Sequence, residues 1–406
     1  MIEIDPERFR ESFDRYAEIG ATENGGLDRL ACTDADREAR DALVADAEAL
    51  GLDVRVDEVG NVFARREGRD PDADPVLIGS HLDSQPSGGR FDGQLGVLAA
   101  LETLRAFEDG GVETDRPVDL VNWTNEEGSR FEQAMLGSAV FAGRRSPSEA
   151  LALTDDTGTS LGAALSGIGY RGEPVEIDPA ACLELHIEQG PRLEEQGVSV
   201  GVVEGVFGMA WLRITFEGEA NHAGPTPMHA RTDALAAAVD AIDAIGELPG
   251  RLSPEAVATV GRISVEPDSI NVIPSRATFT VDVRADSDAV VDRAISRIEA
   301  ELEAACDRHG TTFDLDERWR SERVTFSPRV RDALTGAAEA CGVSARHLTS
   351  GAGHDAVSLV PVTDSGMVFV PSAEGITHNE REFTPWADAV AGARVFTNAA
   401  YDLATE

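Results

Sequence analysis

"PVLIGSHLDSQPSGGRFDGQLGVLAALETLRAFED", residues 75–109, is the stretch on which the fold turns. It opens on Val76-Leu77-Ile78, an unbroken apolar run of the kind a strand shows when both of its faces are buried. It closes on "GQLGVLAALETLRAFED", whose apolar residues recur at helical spacing. Strand, loop and helix in that order are the unit from which parallel sheets are built. The loop between them is unusual, because it sets His81, Asp83 and Asp92 among glycines at the end of a buried strand. That is where α/β enzymes place their chemistry.

Working outward, helical periodicity marks residues near 5–20 and 35–50, and "LDVRVDEVGNVFARREG" reads as a hairpin turning at Gly60-Asn61. Beyond residue 109 come a strand at "PVDLVNW", a short helix near "LGSAVFAG" and a strand at "ACLELHIE". From about residue 208 the pattern changes to β-α-β-β-α-β: "MAWLRITFEGEA", "RTDALAAAVDAIDAIG", "AVATVGRISV", "SRATFTVDVRA", "DAVVDRAISRIEAELEAACDRHG" and "TTFDLDERW". After about residue 325 the first pattern resumes, with a helix at "SPRVRDALTGAAEACG", a strand at "SGMVFVPS" and a last helix at "TPWADAVAGARVFTNAAYDL". The expected fold is therefore α/β, a mainly parallel sheet with helices on both faces. Into it is inserted a ferredoxin-like α+β domain of four strands. The boundaries are 1–208 with 325–406 for the first domain and 209–324 for the second.

Composition bounds the partners. There are 74 acidic residues against 35 basic ones, all of the latter arginine, and the formal net charge is −39. Such a surface repels nucleic-acid phosphates and anionic membranes, so neither is expected as a partner. The acids are dispersed rather than gathered in a tail, which reads as a halophilic adaptation: salt screens their mutual repulsion. The N-terminus lacks a basic segment leading into an apolar one, and no apolar run approaches the roughly 20 residues of a membrane span. A cytoplasmic location is expected. Cys32, Cys182, Cys306 and Cys341 show no CxxC spacing and are expected as buried free thiols.

The remaining unusual polar chemistry lies in "SHLDS" with "FDG", "TNEEGSRF", "LELHIEQG", "GAGHDA" and "EGITHNERE". His81 and Asp83 are two apart, so on an extended strand end both side chains point the same way, one to bind a metal and one to bond the second ring nitrogen. Alone, His81 reads equally well as a loop histidine, and Asp92 as a plain helix N-cap. Glu126 and Glu127 are adjacent after a strand and project differently, which suits one for metal binding and the other for taking a proton from water. His186 in an apolar strand and His378 in a loop are ambiguous singly. As a set, His81, Asp92, Glu127, His186 and His378 offer the imidazole and carboxylate mixture suited to zinc or manganese. Hydrolytic centres of this kind usually hold two ions sharing a carboxylate.

With these segments in view, the chain resembles a known family. "GSHLDSxxxGGRFDGxLGVLAALE", "NEEGSRF", "HIEQGPxLE", "NHAGPTPMxxRTDAL", "INVIP", "SGAGHDA" and "THNERE" are similar to the amidase, hydantoinase and carbamoylase branch of the dizinc aminoacylase and carboxypeptidase superfamily. That branch holds N-carbamoyl-L-amino-acid hydrolase, β-ureidopropionase and allantoate amidohydrolase. The likeness runs from about residue 5 to residue 403. It implies two divalent ions per subunit, Zn or Mn with Co or Ni as further options. His81, Asp92 and His186 would hold one, Asp92, Glu127 and His378 the other. It also implies Glu126 as general base for a water shared by the metals, Asp83 as the acid that orients His81, and a homodimer through the inserted domain, which would act as a lid. Peptidase relatives usually carry an acid at the place of His186, so the ureido-hydrolysing branch is favoured.

The same resemblance implies that Gln189, Asn271, Arg284 and Gly353 grip the substrate, Arg284 by a bidentate pair with its carboxylate. His222 would steady the oxyanion, in its own or the partner subunit's site. His229 and His354 match motif positions whose roles are less defined. Gln85-Pro86-Ser87 departs from the pattern of many relatives and leaves the edge of the pocket open. The expected activity is hydrolysis of the carbamoyl C–N bond of an N-carbamoyl-L-amino acid or related ureido acid. Allantoate hydrolysis is the first alternative and aminoacylase or dipeptidase action the second; a non-catalytic binding protein is disfavoured by the complete ligand set.

Overall fold

The structure is a computed structural model that describes residues 1–406. By its contacts the chain divides into two compact units, Met1–Gly205 with Thr325–Glu406, and Val206–Val324.

The first unit is built on one mixed sheet. Its centre is parallel, in the order Val118–Trp123, Val76–His81, Ala181–Ile187 and Asp364–Val370. Antiparallel strands extend it, Val62–Arg66 and Asp53–Val56 on one side and Val200–Val206 on the other. The four central strands are buried almost throughout, which explains their continuous apolar runs. The helix Gln94–Asp109 is buried along most of its length as well. It packs so closely on the sheet that a Cβ at Gly96 would lie 2.3 Å from the Leu185 carbonyl. Parallel pairing has one consequence for function. His81, Trp123, Ile187 and Val370 all fall at the same edge of the sheet, so the loops that follow them converge.

The second unit has the anticipated β-α-β-β-α-β order. Its antiparallel sheet runs Thr312–Ser321, Gly208–Glu217, Arg276–Ala285, Val257–Glu266. Ala210, Leu212, Ile214 and Phe216 face the helices Ala234–Glu247 and Asp288–His309 in a separate core, while Trp211 and Arg213 point outward. This alternation is what a sheet covered on one side requires.

Several elements were not visible in the sequence. Val200–Val206 is a strand although glycines 201 and 205 interrupt its apolar pattern, and Ala345–Ser350 pairs with it. All four cysteines are free, but only Cys32 and Cys182 are buried; Cys306 and Cys341 are half-buried. No helix is long and apolar enough to cross a membrane.

Candidate metal centre

Three strand ends and two loops supply the polar residues. His81 is the last residue of its strand and His186 lies one residue before the end of its own. After Trp123 the chain turns at Asn125, whose φ of 56° is left-handed and whose side-chain amide is tied to the carbonyls of Phe131 and Gln133. This turn throws Glu126 and Glu127 to different sides. Glu126 Oε2 lies 3.5 Å from His81 Nε2, and Glu127 Oε2 lies 3.4 Å from His378 Nε2.

Asp92 stands between them. Its Oδ1 is 3.5 Å from His81 Nε2 and 3.0 Å from His186 Nε2, while its Oδ2 is 3.5 Å from His378 Nε2. The donor atoms of His81, Asp92 and His186 all lie within 4.8 Å of one another, and so do those of Asp92, Glu127 and His378. The first set is closed off, His81 and His186 being 1% exposed, whereas the side chain of His378 is 48% exposed. In a third buried group, Glu184, His186 and His354, the first and last are engaged in structural bonds. There Glu184 accepts from the Ser80 hydroxyl and the Ala356 amide, and His354 meets the Ser350 hydroxyl.

The imidazoles are held in a definite orientation. His81 Nδ1 lies 2.9 Å from the Asp83 carbonyl and His186 Nδ1 lies 3.0 Å from the Ile187 carbonyl. A carbonyl only accepts, so each Nδ1 carries a proton and Nε2 is the nitrogen turned toward Asp92 and left to bind a metal; the Gly93 amide also points at His186 Nε2, at 3.3 Å. Here the structure differs from the sequence expectation for Asp83. Its carboxylate lies 3.9 Å from the His81 ring and instead accepts from the amides of Glu126 and Glu127. The backbone of Asp83 orients His81, and its side chain braces the two glutamates.

Two glycines of this loop make room for neighbouring side chains. Gly93 has φ 64°, and a Cβ there would lie 2.3 Å from the His81 ring; a Cβ on Gly89 would lie 1.9 Å from Glu382. Glu382 was overlooked in the sequence although "THNERE" contains it. It is 4% exposed, and its Oε1 accepts from the amides of Phe91 and Asp92 at 2.9 and 3.0 Å. Thr377 donates to its Oε2 at 3.0 Å and lies 3.2 Å from Asp92 Oδ2. Gln189, expected on the substrate, donates to Asp92 Oδ2 at 2.8 Å, and its backbone at φ 57° is tied to the Ser372 hydroxyl. Gly353 packs against Met135, and a Cβ there would lie 3.1 Å from that side chain.

The remaining expected residues belong to the second unit. His222 and Asn271 come together through a short ladder, Asn221–His222 against Val272–Ile273, extended by a bond from the Ala223 amide to the Asn271 carbonyl. The Gly224 amide donates to His222 Nδ1 at 3.1 Å, which leaves the proton of the neutral ring on exposed Nε2. Arg284 sits on the helix-free face of the sheet with its Nη2 2.8 Å from Asp282. His229 is exposed in the turn Met228–Ala230.

Burial shapes the electrostatics. It pushes the Glu126 carboxyl well above the ordinary range, with Asp355, Glu127 and Asp92 adding to the effect, and it pushes Glu127 to about 7. Asp92 lies well below the ordinary range because the neighbouring histidines, His186 foremost, outweigh its burial. His81 Nε2 is buried with no hydrogen-bond partner. An orphaned ring nitrogen facing two carboxylates at 3.5 Å, too far for good hydrogen bonds, fits a cation, and an imidazole and carboxylate set of this size fits a divalent one.

Residues 77–402 match peptidase family M20/M25/M40. The chain is 41% identical over 404 residues to the N-carbamoyl-L-amino-acid amidohydrolase of Rhizobium meliloti, covering 99% of this chain and 97% of that one. It is 35% identical to the allantoate amidohydrolase of Bacillus subtilis, covering 96% and 95%. Among solved structures, a hydantoinase/carbamoylase family amidase from Burkholderia multivorans superposes with a TM-score of 0.95 at 44% identity, covering 100% and 99%.

Proposed function

This chain belongs to the hydantoinase/carbamoylase branch of peptidase family M20/M25/M40, and on that premise we propose that it hydrolyses the carbamoyl C–N bond of N-carbamoyl-L-amino acids or related ureido acids. It is a hydrolase of carbon–nitrogen bonds other than peptide bonds. The observation that carries the substrate reading is His186, an imidazole facing Asp92 at the place where peptidase relatives usually carry an acid. With it goes the 41% identity to a carbamoyl amino-acid hydrolase over nearly the whole chain.

His81, Asp92 and His186 would hold one divalent ion, zinc or manganese, and Asp92, Glu127 and His378 a second, with Asp92 shared through its two oxygens. Such ions lower the pKa of water and polarise a carbonyl oxygen. Glu126 is the proposed base: its carboxylate takes a proton from the attacking water and hands it to the leaving nitrogen. The carbamoyl carbon gains the water oxygen and loses the amino-acid nitrogen, so the products are the free amino acid and carbamate. His222, with its proton on Nε2, is the proposed donor to the oxyanion, and Arg284 and Asn271 are assigned to the substrate carboxylate. Residues 209–324 are assigned the part of a lid and dimerisation domain in a cytoplasmic homodimer.

Glu126→Gln should retain both ions by metal analysis and lose turnover by about 10² to 10⁴; a variant with the wild-type rate removes Glu126 from this role. Purified protein should be offered N-carbamoyl-L-amino acids, allantoate and N-acetyl amino acids with Mn or Zn. Cleavage of allantoate in preference to the carbamoyl amino acids would favour the second reading, which the Bacillus subtilis relative supports. Preference for the N-acetyl compounds would mark an aminoacylase.

A further inference from the structure

We infer that Gln85 is the positioning residue of the Asp92, Glu127 and His378 set, gripping both oxygens of Glu127 so that the affinity of this set for a divalent ion depends on it. The inference rests on the two-ion reading above. Gln85 lies in the loop between His81 and Asp92, and its bonds run to Glu127.

The backbone amide of Gln85 donates to Glu127 Oε1 at 3.2 Å, and its side-chain Nε2 donates to Glu127 Oε2 at 2.7 Å. The Ser129 hydroxyl donates to Gln85 Oε1. A carboxylate only accepts, so the amino end of the Gln85 amide faces Glu127 and its oxygen is left to take the Ser129 hydroxyl, which holds the side chain in place. The backbone of Gln85 is itself anchored, because Ser84 next to it exchanges bonds with Arg29 at 2.9 and 3.0 Å and the Gly88 amide donates to the Gln85 carbonyl.

The chemistry of an amide suits the position. Lysine or arginine here would compete with a metal for the carboxylate, an acid would repel Glu127, and an apolar side chain would leave it free to rotate. A neutral donor orients the carboxylate without altering the charge of the set. The dependence belongs to one set only. His81 and His186 are oriented by backbone carbonyls and are closed from solvent, whereas His378 is half-exposed at φ 51° and offers Glu127 no comparable support.

The test compares metal-free wild type, Gln85→Leu and Ser129→Ala by calorimetric titration with Mn²⁺ and by electron paramagnetic resonance of the loaded proteins. Wild type should bind two ions per chain and give a spin-coupled pair. Gln85→Leu should hold the first ion within about twofold and the second about 10- to 100-fold more weakly, so that single-ion signals replace the coupled one at limiting metal. Ser129→Ala should move the second ion in the same direction by less, and it carries the test if thermal unfolding shows that Gln85→Leu does not fold. A second ion bound with wild-type affinity in Gln85→Leu overturns the inference, as does equal weakening of both ions, which marks a general structural role. Wild type that binds fewer than two ions overturns the two-ion reading itself and this inference with it.

Discussion

Replacing Glu382 by alanine should cost about 2 to 6 kcal/mol of stability, and replacing it by glutamine should cost about 1 kcal/mol or less. The difference follows from what each oxygen does. Oε1 is the acceptor for two buried amides, those of Phe91 and Asp92, and Oε2 takes the Thr377 hydroxyl. Alanine leaves both amides without an acceptor, and an unsatisfied buried donor costs roughly 1 to 3 kcal/mol. A water entering the vacated space brings the loss toward the lower end. Glutamine keeps Oε1 in place. Only the Thr377 bond must change direction, and that hydroxyl has Asp92 Oδ2 at 3.2 Å as another acceptor. Urea unfolding of the metal-free proteins, followed by tryptophan fluorescence, reads both values. An alanine variant within about 0.5 kcal/mol of wild type, or a glutamine variant as damaged as the alanine one, would refute the view that Glu382 works as a backbone clamp on the Asp92 loop.

Gly93→Ala combines a left-handed φ with a Cβ 2.3 Å from the His81 ring, so it should displace that ring and abolish binding at the His81, Asp92 and His186 set, measurable by metal titration. Burial raises the Asp57 carboxyl to about 6, against the hydrogen bonds it receives from Asn61 and Val59. With the folded value above the unfolded one, Asp57 favours folding below about pH 4, and this contribution is withdrawn as the pH rises to about 6. Wild-type stability relative to Asp57→Asn should accordingly fall by up to about 3 kcal/mol between pH 4 and 6.5, and parallel profiles for the two proteins in urea titrations would contradict it. A net charge of −39 makes the native state self-repelling, so the melting temperature should climb between 0.1 and 2 M KCl; a flat response would remove the halophilic reading.

The positions of the site were more legible than its interactions. Apolar runs that end in histidine or paired acids marked His81, Glu126, Glu127 and His186, each ambiguous alone and informative only as a set with Asp92 and His378. Local spacing also suggested an acid to orient His81, but spacing does not distinguish a side chain from its own carbonyl, and the carbonyl makes the bond. Gln85 and Glu382 gave no local signal. A loop glutamine looks like solvent-facing filler, and Glu382 meets the amides of residues 91 and 92 only after the chain has returned from nearly the far end. The pair Asn221–His222 and Val272–Ile273 is too short for any periodicity to reveal. Glycine at 89 is missing volume beside Glu382, a contact with a residue about three hundred positions away that local sequence does not reveal.

The position of Asp364–Val370 in the sheet bears on how the protein is made. This strand lies between Ala181–Ile187 and Val200–Val206, so the central sheet has a gap until residues 364–370 leave the ribosome. The unit Val206–Val324 is continuous in sequence, and its pairings are complete well before that. Synthesis therefore completes the residues of the inserted unit while the first two hundred residues still await their partner strand, with the Ala181–Ile187 edge lacking that neighbour in the meantime. His378 follows that strand by eight residues, so the last donor arrives only when the sheet closes, and a nascent chain cannot complete the Asp92, Glu127 and His378 set before it has finished folding around it.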